Sequence, residues 1–280
     1  MRKGIGMGPI ARSRTNPRRT LLLMFVMVAA VASLGHAQTS PIRMLPADSP
    51  FPDVSGAQWT KIEGSGGRKF LTAILRPEGS GPFPVVVVLH GGFGLNKQMM
   101  SVAEDVRQAG FVVVIGCWQA GQAQSEGNRL CSEATPQAEW VADPAAHCCG
   151  KELIATARSL PGARSDRLGL YGLSIGGHAA LWVASTGGNV QAVVADAPSS
   201  AKPRGVLAGL TAPLLMMHGT ADKVVSVEQT REYEGAARAL GKPVVVAYFD
   251  GVGHLASVQP ESQVEARKRA IAFLREQLLK

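Results

Sequence analysis

Aromatic side chains make up only 5% of this 280-residue chain, and charged residues 18%. No stripe of Lys and Arg interleaved with aromatic residues occurs anywhere, so a nucleic-acid-binding surface of that kind is excluded. There are four cysteines, and their spacing lacks the paired C-x-x-C units of a typical zinc site. The longest apolar stretch, Leu21 to about Leu34, falls short of the ~20 residues that cross a membrane comfortably. Asp and Glu are absent from the first 37 residues, which nevertheless hold Arg2, Lys3, Arg12, Arg14, Arg18 and Arg19.

That last absence changes the meaning of the formal charge of +8. A basic start, a short apolar run, and Gly35 and Ala37 at positions −3 and −1 of a cut are the features of a secretory signal peptide. Residues 1–37 are therefore expected to be removed on export, to a periplasmic or extracellular location. An uncleaved membrane anchor is the alternative, and the only membrane association expected. Arg18-Arg19-Thr20-Leu21-Leu22 loosely resembles a twin-arginine signal, although ordinary secretion suits the segment as well. Without these residues the chain carries 23 basic against 21 acidic side chains, a net of about +2. Cys117, Cys131, Cys148 and Cys149 all remain after such a cut, and an oxidising compartment favours disulfides among them. Three pairings exist, of which the one joining the adjacent Cys148 and Cys149 is disfavoured by strain.

Apolar residues form 46% of the chain, enough for a substantial core. Residues 38–58, rich in Pro, Ser and Asp, read as an extended lead-in. Trp59–Glu63 and Lys69–Arg76 read as a hairpin around a glycine-rich turn. Thereafter short β-branched runs alternate with amphipathic stretches. Pro84–Leu89, Phe111–Ile115, Leu168–Tyr171, Val190–Ala195, Pro213–Met217 and Val244–Phe249 lack polar alternation, as strands covered on both faces do. Helices are expected near 98–109, 150–159, 175–186, 227–240 and 261–279, the last with solvated charges between its apolar residues. The alternation predicts one α/β domain over 59–280, with a mostly parallel sheet and helices on both faces. Residues 117–150 break the rhythm with no clear strand and at most a short helix near Pro136–Val141. A long irregular insertion at a strand end is usually functional.

Between the strand at 168–171 and the helix at 175–186 stands Gly172-Leu173-Ser174-Ile175-Gly176, a G-x-S-x-G sequence in a strand–turn–helix setting. Glycines on both sides permit a turn too sharp for side chains, leaving Ser174 above the sheet at the positive end of a helix. A serine hydroxyl is a poor nucleophile until a base, oriented by a carboxylate, takes its proton. Asp222 follows the strand at 213–217 and His254 follows the strand at 244–249, so serine, acid and histidine occur in the order this arrangement uses. Asp196 is a rival for the acid. Asp250 suits local turn chemistry, His218 backbone hydrogen bonding, and His178 packing or capping. Oxyanion stabilisation needs two backbone N–H groups. Ile175 supplies one, and the loop His90-Gly91-Gly92-Phe93-Gly94 the other, at Gly92 or alternatively Phe93; His90 braces that loop.

From about 59 to 279 the chain resembles the α/β-hydrolase superfamily, and within it the dienelactone hydrolase family. The resemblance is carried by LHGGFGLN (89–96), GLSIGG (172–177), HGTADKVV (218–225) and GVGH (251–254). It implies a sheet of about eight strands, hydrolysis through an acyl-enzyme, and the second oxyanion donor at Gly92. Two departures stand out: the dienelactone enzymes carry a nucleophilic cysteine where this chain has Ser174, and a glutamate where it has Gly91.

The expectation is thus an exported serine hydrolase of carboxylic esters, lactones or small acyl compounds, needing no metal or organic cofactor. Phe93, Trp118 and Trp140 are the candidate substrate-covering wall, the latter two within the insertion, which would otherwise be a disulfide-braced stabilising loop. Two competitors are a serine peptidase resembling the catalytic domain of prolyl oligopeptidases and a non-catalytic binding module on the same fold.

Overall fold

The computed structural model describes residues 42–51, 56–64, 69–118, 125–126, 129–131, 148–199 and 203–280. The expected signal segment 1–37, Trp140 and the helix expected near Pro136–Val141 lie outside them. Nine strands form the main sheet in the spatial order β1-β2-β3-β5-β4-β8-β9-β10-β11. These are β1 (Arg43–Pro46), β2 (Ala57–Glu63), β3 (Lys69–Leu75), β4 (Phe83–Leu89), β5 (Val112–Gly116), β8 (Ala163–Leu173), β9 (Ala192–Asp196), β10 (Leu214–Gly219) and β11 (Val244–Phe249). From β5 across to β11 every pair is parallel, whereas β1, β2 and β3 run antiparallel to their neighbours.

The eight strands read from the sequence are present, their ends moved by up to two residues except at β8, which starts earlier. The ninth, β1, lies inside the expected lead-in, where Met44 pairs with Ile62 and Leu45 with Lys61. It is a four-residue edge strand with mostly exposed side chains, so it leaves no hydrophobic period to detect. Residues 117–150 likewise contain a two-stranded ladder of two residues each, β6 (Ser125–Glu126) and β7 (Arg129–Leu130), too short to signal itself.

Val85–Leu89 and Val112–Ile115 are wholly buried because helices cover both faces. Helices α1 (Lys97–Gln108) and α6 (Gln263–Leu278) lie on one face; α2 (Cys148–Ser159), α3 (Ile175–Ser185), α4 (Pro203–Leu207) and α5 (Val227–Ala239) lie on the other. Burying each large aliphatic side chain contributes about 1.5–3 kcal/mol, which makes this central layer the chief source of stability. Helix α1 starts where Asn96 accepts the N–H of Met99 at 3.0 Å, and it buries Met99, Met100, Val102, Ala103 and Val106. In α6 one charge departs from the expected solvated face: Arg267 is buried, donating to Asp105 Oδ2 at 2.8 Å and to the Ser257 carbonyl at 2.7 Å.

Register assembles the site. Leu89 pairs with Gly172, Leu173 and Met217 both pair with Asp196, and Gly219 pairs with Phe249. The segments that begin at His90, Ser174, Ala197, Thr220 and Asp250 therefore all leave the sheet along one edge, the carboxyl end of its parallel strands.

Candidate functional site

The turn from β8 into α3 is as tight as its glycines imply. A Cβ at Gly172 would run into the backbone of Gly176 and Gly177, and one at Gly176 into the carbonyls of Leu89 and His90. Ser174 sits at the apex with φ 55° and ψ −120°, a conformation that non-glycine residues rarely adopt. Its N–H donates to the Asp196 carbonyl at 2.8 Å, and its own carbonyl accepts from Gly177 N (2.8 Å) and His178 N (3.2 Å). Although it holds the N-cap position of α3, its side chain makes no cap hydrogen bond. The hydroxyl is left to the cavity above the sheet.

Asp222 and His254 meet because the loops after β10 and β11 continue the sheet's pairing. Thr220 N donates to Phe249 O and Ala221 N to Val252 O, each at 2.9 Å. His254 Nδ1 then lies 2.7 Å from Asp222 Oδ2, while Oδ1 accepts the N–H groups of Val224 (2.8 Å) and Val225 (2.9 Å). Burial pushes the Asp222 carboxyl up, but the His254 hydrogen bond and the two backbone N–H groups outweigh it. The net effect holds this carboxyl below its usual range, so it is ionised at neutral pH. An ionised Asp222 fixes the tautomer of His254, with the proton on Nδ1 and Nε2 available as an acceptor.

Ser174 and His254 open on one cavity of about 380 Å³, also lined by Gly91, Gly92, Phe93, Gly94, Asn96, Lys97, Met99 and Leu255. The 90–94 segment turns tightly, Gly94 N donating to Gly91 O at 3.0 Å. It lies directly against the elbow: a Cβ at Gly91 would stand 3.3 Å from Ser174 Cβ, and one at Gly92 3.4 Å from Ile175 Cδ1. Gly92, on the cavity wall, thereby packs against the Ile175 side chain, and Ile175 is buried at the start of α3. Phe93, 55% exposed, stands on the cavity rim. A hydroxyl, an imidazole and a buried carboxylate so arranged can pass a proton from serine to histidine while the carboxylate stabilises the imidazolium.

Trp118 is a correction. Expected on the substrate wall, it is fully buried and does not line the cavity. Its indole N–H donates to the His90 carbonyl at 3.1 Å, so the ring supports the 90–94 loop from beneath. It follows Cys117, whose N–H donates to Leu71 O at 2.8 Å, and this continuation of the β3–β5 pairing turns the next side chain inward. Cys117 pairs with Cys131, their Cα atoms 5.4 Å apart, a correction to the expectation, since this bond belongs to the pairing that leaves only the adjacent Cys148 and Cys149 for each other and was disfavoured. The side chains of Cys148 and Cys149 lie outside the described residues.

The other described histidines, and the acids Asp196 and Asp250, have other partners. His90 is fully buried, its Nδ1 2.8 Å from Gly91 O, and burial pushes its pKa down to about 4. His178 Nδ1 lies 3.2 Å from the Tyr233 hydroxyl. His218 meets Thr230 Oγ1 (2.7 Å) and Val225 O (2.9 Å), and its Nε2 is also 3.2 Å from Asp222 Oδ2. Sequence reading assigned it backbone bonds and missed this contact with the acid. Asp250 accepts from the Thr220 hydroxyl at 3.0 Å, as turn chemistry requires. Asp196 is wholly buried and bonded to residues 256 and 257, away from His254. Among the described residues no group of three or more His, Cys, Asp or Glu is placed to hold a metal ion.

Similarity to known proteins agrees with this architecture. The model of the dienelactone hydrolase family matches residues 70–277. A Synechocystis sp. protein provisionally named carboxymethylenebutenolidase is 28% identical over 134 residues, covering 44% of this chain and 50% of that protein. The chain thus spans half the length of this relative. A Bradyrhizobium sp. protein provisionally named 2-oxo-3-(5-oxofuran-2-ylidene)propanoate lactonase is 27% identical over 210 residues, 70% of this chain and 82% of its own. Among solved structures, a provisionally named dienelactone hydrolase from Klebsiella pneumoniae shares the fold with a TM-score of 0.65 and 20% identity, covering 79% of this chain and 98% of that one. By its family match, its nine-stranded sheet and the likeness to these structures, the chain belongs to the dienelactone hydrolase family and has the α/β-hydrolase fold.

Proposed function

We propose that this chain is an exported serine hydrolase that cleaves carboxylic esters or lactones through an acyl-enzyme. The observation that carries the proposal is the 2.7 Å contact of His254 Nδ1 with Asp222 Oδ2, made while His254 and Ser174 line one cavity. His254 Nε2 takes the Ser174 proton as Oγ attacks the carbonyl carbon, and Asp222 stabilises the imidazolium that results. The N–H groups of Ile175 and Gly92 receive the charge that develops on the carbonyl oxygen. The tetrahedral intermediate collapses, His254 returns the proton to the departing alkoxide, and an ester joins the acyl group to Ser174. Water, deprotonated by His254, then attacks that ester. The acid leaves, and Ser174 regains its proton.

Ester and lactone substrates are favoured by the names of the relatives, a butenolide hydrolase and a lactonase. The cavity also suits a small acyl group: about 380 Å³ is near the lower end of ligand sites. Export rests on the basic, acid-free start and its apolar run.

A fluorophosphonate probe on the protein recovered after export tests the chemistry. Wild type should be labelled on Ser174, while Ser174→Ala should not be and His254→Ala only slowly. Absence of labelling on folded wild type would leave a binding module. Faster hydrolysis of peptide amides than of p-nitrophenyl acyl esters would indicate a peptidase. An intact mass retaining residues 1–37 would refute cleavage near Ala37.

A further inference from the structure

We infer that Asp196 is a positioning residue that holds the His254 loop in place against the Ser174 elbow; the inference rests on reading Ser174 and His254 as nucleophile and base. Two groups of this one residue face in two directions. Its backbone carbonyl, at the end of β9, accepts the Ser174 N–H at 2.8 Å. Its carboxylate accepts Ala256 N at 3.2 Å, Ser257 N at 2.8 Å and the Ser257 hydroxyl at 2.5 Å. Asp196 therefore joins the backbone of the nucleophile directly to the segment two and three residues beyond His254. The Ser257 carbonyl is in turn held by Arg267 Nε at 2.7 Å, which ties the same segment to α6.

The surroundings indicate that this tie holds a strained arrangement. Among the described residues five non-glycine residues have left-handed φ, and three of them lie along this tie: Ser174 at 55°, bonded to Asp196, Ala197 at 48°, next to it in the chain, and Leu255 at 67°, next to the bonded Ala256. Leu255 is the residue through which the chain turns from His254 to the bonded N–H groups. Such conformations persist only where neighbouring bonds over-determine them. A wholly buried carboxylate is itself unfavourable unless its oxygens are satisfied. Burial raises the Asp196 pKa, and the Ser257 and Ala256 bonds oppose the rise. An apolar residue at the end of β9 would bury itself without that penalty, but it would leave the 256–257 N–H groups unbonded and the His254 loop untied.

The test measures p-nitrophenyl acetate hydrolysis by the purified full chain with Asp196→Asn, Ser257→Ala, His254→Ala and the His254→Ala/Asp196→Asn double variant. A catalytic group displaced by about an ångström loses on the order of 100-fold in rate, so Asp196→Asn should lower kcat roughly 10- to 100-fold with KM nearly unchanged. In the His254→Ala background the same change should cost less than about 2-fold, because there is no imidazole left to misplace. Ser257→Ala, which removes one of the three bonds, should lower kcat roughly 3-fold. The inference is overturned if Asp196→Asn keeps wild-type kcat, or if it lowers the residual rate of His254→Ala by the factor seen with His254 present. Should Asp196→Asn fail to melt cooperatively, Ser257→Ala decides: an unchanged kcat overturns the inference, and a reduced kcat at constant KM supports it. Fluorophosphonate labelling separates the two levels. An unlabelled wild type removes the reading beneath, whereas a labelled wild type with insensitive Asp196 and Ser257 variants removes this inference alone.

Discussion

Trp118 donates its indole N–H to the carbonyl of His90 across 3.1 Å, and both side chains are wholly buried. The bond ties the start of the Cys117–Gly150 insertion to the loop that faces Ser174. It gives the indole a role beneath the site rather than on its wall. Trp118→Phe keeps most of the bulk and deletes the donor. It should lower kcat on p-nitrophenyl acetate roughly 3- to 10-fold with little change in KM, as the 90–94 loop loses its support. Trp118→Ala adds a cavity and should also reduce unfolding free energy by about 3–5 kcal/mol in denaturant titrations.

The depressed pKa of His90 makes stability pH-dependent in a defined direction. Burial pushes it to about 4, from an ordinary 6.5. The unfolded chain therefore takes up a proton on this ring as pH falls below 6.5, while the folded chain stays neutral until about 4. Stability from this group is complete above that range and declines across it, by up to about 3 kcal/mol. His90→Asn retains a donor toward Gly91 O but does not titrate. Unfolding curves of the two proteins should converge as pH falls from neutral toward 4, the lower value of that range; a constant gap would contradict the assignment.

Asp222 titrates with the same sign, over a lower pH range. Its carboxyl is held below the ordinary value of 3.8, so its stabilisation is present above that pH and is lost as pH falls through the lower folded value. Asp222→Asn should flatten this acid limb of the stability profile. The same variant denies His254 Nδ1 its carboxylate acceptor, and kcat should fall by about 10³- to 10⁴-fold, the scale known for such a change in a serine protease triad.

Two glycines should behave in opposite ways. Gly176→Ala would drive a methyl group into the carbonyls of Leu89, the last residue of the central strand β4, and of His90, the next residue. Loss of soluble folded protein is expected. Gly235, inside α5, has open space around the position of a Cβ. Gly235→Ala should raise stability by about 0.5–1 kcal/mol, measured by denaturant midpoint at unchanged slope.

The paired Cys117 and Cys131 close a loop with a sequence separation of 14. A link over a loop of this size stabilises by about 3 kcal/mol. Replacing both cysteines with serine should lower the melting temperature accordingly, and thiol titration of the denatured protein, purified under oxidising conditions, should find at most two free groups. Four free thiols would refute the disulfide.

How far the sequence leads depends on the range of the forces involved. The buried strands are visible because Val85–Leu89, Val112–Ile115 and Leu214–Met217 are apolar without alternation, a local property. Ser174 is visible because the elbow needs glycines at short, fixed spacing. Ala57–Glu63 is visible by β-propensity, yet its partner β1 is not: four mostly exposed residues are held by pairing with β2 and carry no pattern of their own. Trp118 misleads for a related reason. Position along the insertion suggests a wall, but the direction of its side chain is decided by the Cys117–Leu71 hydrogen bond with a strand more than forty residues earlier. Arg267 misleads too, since a charge on a terminal helix is normally solvated, and only the arrival of Asp105 and Ser257 from other elements allows its burial.

The sequence by itself determined the α/β class, the parallel strands, the glycine-flanked turn and the order in which Ser174, Asp222 and His254 leave the sheet. Those features follow from side-chain size, backbone freedom and hydrophobic period within a few residues. Tertiary structure alone decided that Asp222 Oδ2 is shared between His254 and the neighbourhood of His218. It also decided that Asp196 spans from the Ser174 backbone to Ser257, and that Trp118 lies under the 90–94 loop rather than across the cavity from it. Apart from the approach of His218 to Asp222 four residues on, each is a hydrogen bond between segments 28 to 61 residues apart, or, for Asp196 and Ser174, between the end of one strand and the turn after its neighbour. Such bonds are fixed by strand register and by the exclusion of water from the core, and neither is encoded at any one position.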